Sequence, residues 1–193
     1  MRAVNKIVIH CSATREGVNV SATTIDGWHR KRGFDQIGYH YVIALDGKIE
    51  AGRPVNVMGA HVGGGGNRAS IGVAYIGGVD ANLKAKDTRT EAQKKSLIKI
   101  IKILKNIYTE ASIHGHRDYS VDCDGDGVEA HEYMKACPCF DAEEEYIEYQ
   151  PKNFKAKRKK ARERKTRSGK KTLEQRSQSK RRCRKTAAAR KSR

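Results

Sequence analysis

Residues 6–10, Lys-Ile-Val-Ile-His, form a short apolar run that ends in a histidine. A run of this length, rich in β-branched residues, predicts a buried strand. Residues 71–76 form a second such run, and residues 39–50 predict a hairpin because Asp46-Gly47 is a strong two-residue turn signal between two strand-like segments. Residues 111–114 predict one more short strand. These strands are the expected centre of the fold.

Helical patterns lie between the predicted strands. Residues 21–32 place apolar side chains on one helical face, and residues 90–108 carry a long apolar stripe. Thr90 and Gln93 have the spacing of an N-terminal capping box. A third helix is expected over residues 141–149. Strands that alternate with helices predict the α/β class.

The positive charge of the chain is concentrated at one end. The 193 residues carry a formal net charge of +18, yet residues 1–150 hold 19 Lys and Arg against 20 Asp and Glu, whereas residues 151–193 hold 21 against 2. The second segment has almost no large apolar residues, so it cannot bury enough surface to fold alone. We therefore expect a single α/β domain at 1–150, followed by a disordered basic tail.

The sequence also predicts where the protein is made. It has no signal-peptide layout at its start, and no apolar stretch reaches the roughly 20 residues that span a bilayer. Five cysteines, an odd number at irregular positions, argue against a disulfide framework in such a chain. We expect a monomer that is synthesised in the cytoplasm and has no transmembrane segment, with thiols free to bind metal.

Three segments carry side chains typical of a metal site. His10 ends the first strand, Gly115-His116-Arg117-Asp118 follows the last one, and Cys137 lies in Lys135-Ala136-Cys137-Pro138-Cys139. Two imidazoles and one thiolate suit a single zinc ion. Three protein ligands leave the fourth zinc position for water, which is typical of a catalytic site, so a hydrolase is the leading hypothesis. Cys139 is an alternative third ligand.

The chain resembles the zinc-dependent N-acetylmuramoyl-L-alanine amidases of the phage-lysozyme type, which are relatives of the peptidoglycan recognition proteins. The resemblance covers most of residues 5–149, and it implies a mixed central β-sheet flanked by helices. The matching segments, in order, are Ile9-His10-Cys11-Ser12-Ala13-Thr14, Gly38-Tyr39-His40-Tyr41, Glu50-Ala51-Gly52-Arg53, Ser70-Ile71-Gly72-Val73, Gly115-His116-Arg117-Asp118 and Lys135-Ala136-Cys137-Pro138.

The resemblance implies a role for each matching residue. His10, His116 and Cys137 correspond to zinc ligands, and Tyr39 and Lys135 correspond to the catalytic side chains. A tyrosine hydroxyl and a lysine ammonium beside a metal are suited to stabilise the oxyanion of amide hydrolysis, at about 3 to 4 kcal/mol per donor. Without the resemblance, Tyr39 would be interpreted as a core residue and Lys135 as a solvated cation.

Polar residues beside a glycine-rich segment are candidates for substrate binding. His61, Asn67 and Arg68 flank residues 63–66, which are all glycine. Glycines leave room beside the predicted strand at 71–76, because they carry no side chain. We therefore expect these three polar residues to line a substrate groove.

An acidic segment between the second and third proposed ligands resembles half of a calcium loop. Asp122, Asp124 and Asp126 alternate before a glycine, as in the first half of such a loop. The twelfth position is Tyr133, where a calcium loop carries a glutamate. Calcium binding is therefore one hypothesis, and a turn-rich acidic loop without a metal is the other.

These expectations combine into one function. The resemblance implies hydrolysis of the amide bond between N-acetylmuramic acid and L-alanine in peptidoglycan, by a phage or prophage endolysin that reaches the cell wall after membrane permeabilisation. The tail is expected to contact the anionic cell envelope, with nucleic acid as the alternative polyanion. Two other functions stay open: a non-catalytic peptidoglycan-binding module, and a basic protein associated with nucleic acid through its tail.

Overall fold

The computed structural model describes residues 2–63, 65–120, 128, 132–154 and 156. In this part of the chain the strands are β1 (Lys6–Cys11), β2 (Thr14–Arg15), β3 (Tyr41–Ile43), β4 (Ile49–Ala51), β5 (Ser70–Tyr75), β6 (Gly78–Val79) and β7 (Ser112–Gly115). The α-helices are α1 (Ala22–Lys31), α2 (Glu91–Ile107) and α3 (Ala142–Glu145). None of these helices is long and apolar enough to cross a bilayer.

The main sheet has five strands in the order β4-β3-β5-β1-β7. β1 pairs in parallel with both β5 and β7, and β3 pairs in parallel with β5. β4 returns antiparallel to β3 as the second strand of the predicted hairpin, so the sheet is mixed. Because β1 and β7 run in the same direction, their carboxyl ends meet at one edge of the sheet.

The helices pack on the two faces of this sheet. On one face, Leu97, Ile101 and Leu104 of α2 belong to the same buried cluster as Ile7 and Ile9 of β1. On the other face, α1 packs against the sheet through a second buried cluster that includes Ala22, Ile25, Val42 and Ile76. Since successive side chains of a strand point to opposite faces, His10 lies on the α1 side of the sheet.

The predicted capping box at the start of α2 is confirmed, and Gln93 of this box also links the helix to the sheet. The Thr90 hydroxyl accepts a hydrogen bond from the Gln93 backbone N–H, while the Gln93 amide oxygen accepts from the Thr90 N–H. The Gln93 amide nitrogen then donates to the carbonyls of Ile43 and Ile76, at 3.1 and 2.9 Å. This fully buried side chain thereby ties α2 to the carboxyl ends of β3 and β5.

Two elements differ from their sequence predictions. The hairpin loop is longer than a two-residue turn: Gly47 donates to the Ala44 carbonyl, Ala44 donates to the Lys48 carbonyl, and Gly47 has a φ of 86°. Such a three-residue loop with a left-handed glycine is a common hairpin alternative.

The helix predicted at 141–149 is broken into α3 and a 3-10 turn at Ile147–Tyr149. The Gln150 side chain, which follows this turn, bonds both the N–H and the carbonyl of Ile113 in β7, and the N–H contact is 2.9 Å. These tertiary hydrogen bonds outweigh the local preference for a continuous helix.

The proposed boundary at residue 150 stays a prediction. The described chain continues to Phe154, whose ring packs against the His114 ring with centroids 5.4 Å apart. The folded part therefore includes at least these few residues after Pro151. The remainder of the basic segment lies outside the described residues.

His40 is a buried side chain on the hairpin with a polar contact on each ring nitrogen. Its Nδ1 accepts from the Gly72 N–H at 2.9 Å, and its Nε2 lies 3.1 Å from the Val57 carbonyl, to which it donates in the neutral form. Burial lowers the pKa of His40 from 6.5 to about 4. The folded protein therefore holds this imidazole neutral.

This burial predicts a pH-dependent share of stability. As the pH falls from about 6.5 to about 4, the unfolded chain binds a proton at His40 before the folded chain does, so stability is lost over that window. His40→Gln should lower the free energy of unfolding at pH 7 by about 1 to 3 kcal/mol and should lose less stability than the parent between pH 6.5 and 4. Urea unfolding of both proteins across this range measures the difference, and equal losses in the two proteins would contradict it.

Candidate active site

The three predicted metal ligands meet at the carboxyl edge of the sheet. His10 is the fifth residue of β1 and is fully buried, His116 follows β7 directly, and Cys137 lies in the segment that crosses this edge. One donor atom from each residue lies within 4.8 Å of the other two. The ring centroids of His10 and His116 are 4.9 Å apart.

The separation of the donor atoms suits a zinc ion. The Nδ1 of His10 lies 3.7 Å from the Sγ of Cys137. Zinc bonds of about 2.0 to 2.1 Å to nitrogen and 2.3 Å to sulfur, at a tetrahedral angle, place the two atoms about 3.6 Å apart. A zinc ion therefore fits between these residues with little movement of the side chains.

The electrostatic surroundings keep both imidazoles neutral. Burial lowers the pKa of His10 well below its usual value, and the neighbouring His61, His116 and Lys135 lower it further. Burial also lowers the pKa of His116 to about 4, with a further contribution from Lys135. A metal ligand must be deprotonated, so at neutral pH each ring offers a lone pair without first losing a proton.

Contacts from three strands hold the Cys137 segment in place. The Tyr75 hydroxyl at the end of β5 donates to the Pro138 carbonyl at 2.7 Å, and the Cys11 N–H at the end of β1 donates to the Cys137 Sγ at 3.2 Å. At the end of β7, a Cβ on Gly115 would lie 2.5 Å from the Pro138 ring. Glycine is therefore required there for the segment to approach the sheet this closely.

Cys139 points away from the group formed by His10 and His116. Its thiol donates to the Gly78 carbonyl at 3.1 Å and lies 3.8 Å from the Cys11 Sγ. Cys11 itself is buried in the core on the α2 side of the sheet. This geometry favours Cys137 over Cys139 as the third ligand.

A cleft of about 520 Å³ opens beside the three ligands. Tyr39 and Lys135 both line it, and the Tyr39 ring lies 5.1 Å from the His10 ring between centroids. Burial raises the pKa of the Tyr39 hydroxyl, and the nearby Cys137 and Cys11 thiols raise it further. Tyr39 therefore stays protonated and able to donate a hydrogen bond, whereas Lys135 is exposed at the mouth of the cleft.

Of the three residues predicted to line a substrate groove, two line the cleft and one does not. His61 and Asn67 line the cleft, and the Asn67 side-chain oxygen accepts from the backbone N–H groups of His61 and Val62 at 2.9 and 2.8 Å. Arg68 is exposed and does not line the cleft, although its carbonyl accepts from the Arg2 guanidinium at 3.0 Å. The predicted calcium ligands Asp122, Asp124 and Asp126 lie outside the described residues.

Sequence reasoning missed a wall of the cleft at the end of α1. His29, Arg32 and Phe34 line this wall, with the His29 and Phe34 rings 5.1 Å apart. Gly33, with a φ of 86°, turns the chain at the end of α1. In the sequence this glycine marks where the helix ends, but nothing there indicates that the helix end packs against Gly38 and Tyr39.

Comparison with known proteins identifies the family. The sequence profile of the N-acetylmuramoyl-L-alanine amidase family matches residues 1–139. This chain belongs to that family. The fold class and the amidase activity predicted from the sequence are thereby confirmed.

Individual relatives of this amidase agree with the family assignment. The endolysin of Klebsiella phage KP32 is 36% identical over 137 residues, which are 71% of this chain and 82% of the relative. The endolysin of Escherichia phage T7 is 35% identical over 139 residues, which are 72% of this chain and 83% of that endolysin.

Solved structures share the fold. The N-acetylmuramoyl-L-alanine amidase LysC from Clostridium intestinale URNW superposes with a TM-score of 0.57 at 31% identity, covering 76% of this chain and 83% of that one. The bumblebee protein PGRP-SA has a TM-score of 0.55 at 23% identity, covering 72% and 77% of the two chains. The second likeness shows the fold alone.

The geometry predicts different effects for the two neighbouring cysteines of this amidase. Cys137→Ser should remove stoichiometric zinc, because a hydroxyl replaces the only thiolate beside His10 and His116 in the described residues. Cys139→Ser is the matched control and should keep about one zinc per chain. Metal content of the dialysed proteins, measured by mass spectrometry, separates them, and the reverse pattern would show that Cys139 is the ligand.

Proposed function

We propose that this amidase is a zinc-dependent endolysin that hydrolyses the amide bond between N-acetylmuramic acid and L-alanine in peptidoglycan. The proposal rests mainly on the grouping of the His10, His116 and Cys137 donor atoms. His116 and Cys137 line a cleft whose lining also includes Tyr39 and Lys135. The family assignment and the phage endolysin relatives support the same reaction and the same role.

The proposed site combines a Lewis acid with two hydrogen-bond donors. Zinc, when bound, polarises an amide carbonyl and activates water for attack. The protonated Tyr39 hydroxyl is placed to donate to the negative charge that develops on the carbonyl oxygen, and the Lys135 ammonium would offset that charge. Each such donor is worth about 3 to 4 kcal/mol in a site without water.

The cleft also has features that suit a polymeric, anionic substrate. Its lining residues Arg32, Phe34 and Lys135 are exposed, so the cleft is open to solvent and can admit a segment of a long chain. Arg32 and Lys135 place two cations among its lining residues, and peptide substrates with free carboxylates are attracted to such groups. Phe34 adds an apolar surface at the same wall. We propose that this wall contacts the peptide part of peptidoglycan.

Replacement of one hydroxyl tests the proposed chemistry. Tyr39→Phe should lower kcat on purified peptidoglycan by about 10²-fold to 10³-fold, because an oxyanion donor is lost, while zinc content is unchanged. Tyr41→Phe is the matched control, since Tyr41 lies two residues away on β3 and does not line the cleft. The readout is the appearance of new L-alanine amino termini together with free lactyl groups on muramic acid.

One outcome of this experiment would contradict the proposed reaction, and another would contradict the proposed role of Tyr39. A parent protein that binds peptidoglycan and releases no such products would be a binding module without catalysis. Equal activity of Tyr39→Phe and the parent would remove Tyr39 from the chemistry and leave the reaction itself in place.

We further propose that the basic segment 151–193 draws the enzyme to the anionic cell envelope. Its 21 Lys and Arg against 2 Asp and Glu attract any polyanion, and this attraction weakens with salt. In this proposal the enzyme is made in the cytoplasm and reaches the wall once the membrane is permeabilised.

Removal of the residues after 156 tests the role of the segment. The shortened protein should lyse permeabilised cells more slowly than the full chain at low salt, and the difference should shrink at high salt because screening removes the attraction. Lysis rates at the two salt concentrations measure this, with soluble peptidoglycan fragments as the control substrate. Equal lysis by both proteins at low salt would contradict the proposal. A difference that added DNA abolishes would favour nucleic acid as the partner.

A further inference from the structure

The second ring nitrogen of His10 has a buried partner. Its Nδ1 faces Cys137, so its Nε2 points away from the proposed metal position, and this Nε2 lies 3.0 Å from the Nδ1 of His61. Both histidines are buried. A hydrogen bond of this length between two neutral imidazoles requires one ring to donate and the other to accept.

The surroundings of His61 decide which ring donates. The Ser70 hydroxyl lies 2.7 Å from the Gly66 carbonyl, which can only accept, so the hydroxyl proton points to Gly66. The Ser70 oxygen then faces the Nε2 of His61 at 3.4 Å as an acceptor. His61 therefore carries its proton on Nε2, and its Nδ1 accepts from the Nε2–H of His10.

The ring of His61 fits a niche made by two glycines. A Cβ on Gly59 would lie 2.5 Å from this ring, and a Cβ on Gly72 would lie 2.6 Å from it. The Asn67 side chain fixes the His61 backbone through its N–H. The backbone of three segments thus sets the position of the ring, and the direction of its hydrogen bonds follows from the fold.

We propose that His61 is a positioning residue that acts through His10. The chain of hydrogen bonds from His10 through His61 and Ser70 to the Gly66 carbonyl holds His10 in the tautomer whose Nδ1 lone pair faces Cys137. This inference rests on the proposed zinc site and deepens it. It gives His61 a role in metal affinity beyond its place in the wall of the cleft.

Partners that orient a ligating histidine typically contribute 10-fold to 100-fold to metal affinity. His61→Phe keeps a ring in the niche but leaves the His10 Nε2–H without an acceptor. His61→Asn places an amide oxygen near the position of Nδ1 and restores an acceptor. Tyr41→Phe, on β3 and outside the cleft, is the control, because it leaves every imidazole in place.

The test measures zinc affinity of the full chain by competition with a chromophoric chelator at pH 7.5, with urea unfolding to confirm that each variant is folded. We expect His61→Phe to bind zinc 10-fold to 100-fold more weakly than the parent, and His61→Asn and Tyr41→Phe to stay within a few-fold of it. In the zinc-loaded parent, nitrogen-15 spectra of the histidine rings should place the His10 proton on Nε2.

The outcomes distinguish this inference from the proposed function, because zinc affinity and peptidoglycan hydrolysis are measured separately. A folded His61→Phe that binds zinc as tightly as the parent overturns the positioning role, even where its hydrolysis is impaired. Weaker zinc binding by His61→Phe supports the role, even where the parent releases no peptidoglycan products. A proton on Nδ1 of His10 in the zinc-loaded parent also overturns it.

Discussion

The parallel pairing of β1 with β7 is the constraint on which the proposed site depends. In this register Ile9 lies opposite Gly115, so the next residue along each strand, His10 or His116, comes at the same edge of the sheet. The two imidazoles are far apart in the sequence, and only this pairing brings their rings within 4.9 Å between centroids. A shift of one residue in β1 would turn His10 to the α2 face.

The third ligand depends on a different kind of support. Cys137 lies outside the sheet, in a segment held by hydrogen bonds from Tyr75 and Cys11 and by the close approach of Pro138 to Gly115. Further along, the Arg89 guanidinium lies 3.3 Å from the Phe140 ring centroid and is paired with Asp87 and Glu145. Residues on the α2 face of the sheet thus hold the segment that carries Cys137, whose thiol lies near His10 on the α1 face.

The sequence predicts the local features of this fold better than the long-range contacts that complete the site. The strand at 6–10, the capping box of α2 and the order of the metal-binding segments follow from local patterns, because periodicity and capping are local properties of the chain. The break of the helix at 141–149 does not, since Gln150 bonds the backbone of Ile113, 37 residues away. The wall of His29, Arg32 and Phe34 was missed for the same reason, because it forms only once the end of α1 packs against Gly38 and Tyr39.

The same distinction explains why His61 was interpreted as a groove residue. Its position beside a glycine-rich segment suggests open space, and the structure does place it in the cleft wall. Its contact with His10 spans 51 residues, and no local pattern indicates it. The one sequence feature related to this contact is the pair of glycines at positions 59 and 72, because their lack of side chains makes room for the His61 ring.

The site combines buried groups that stay neutral with exposed cations at the cleft. Burial keeps His10, His61 and His116 unprotonated and Tyr39 protonated, so the metal-binding end offers lone pairs and a hydroxyl donor without any change of charge. Lys135 and Arg32, which both line the cleft, are exposed to water, and a polymeric substrate would displace that water. The strength of a charge–charge interaction rises as water leaves, so Lys135 would act most strongly only after the substrate has covered it.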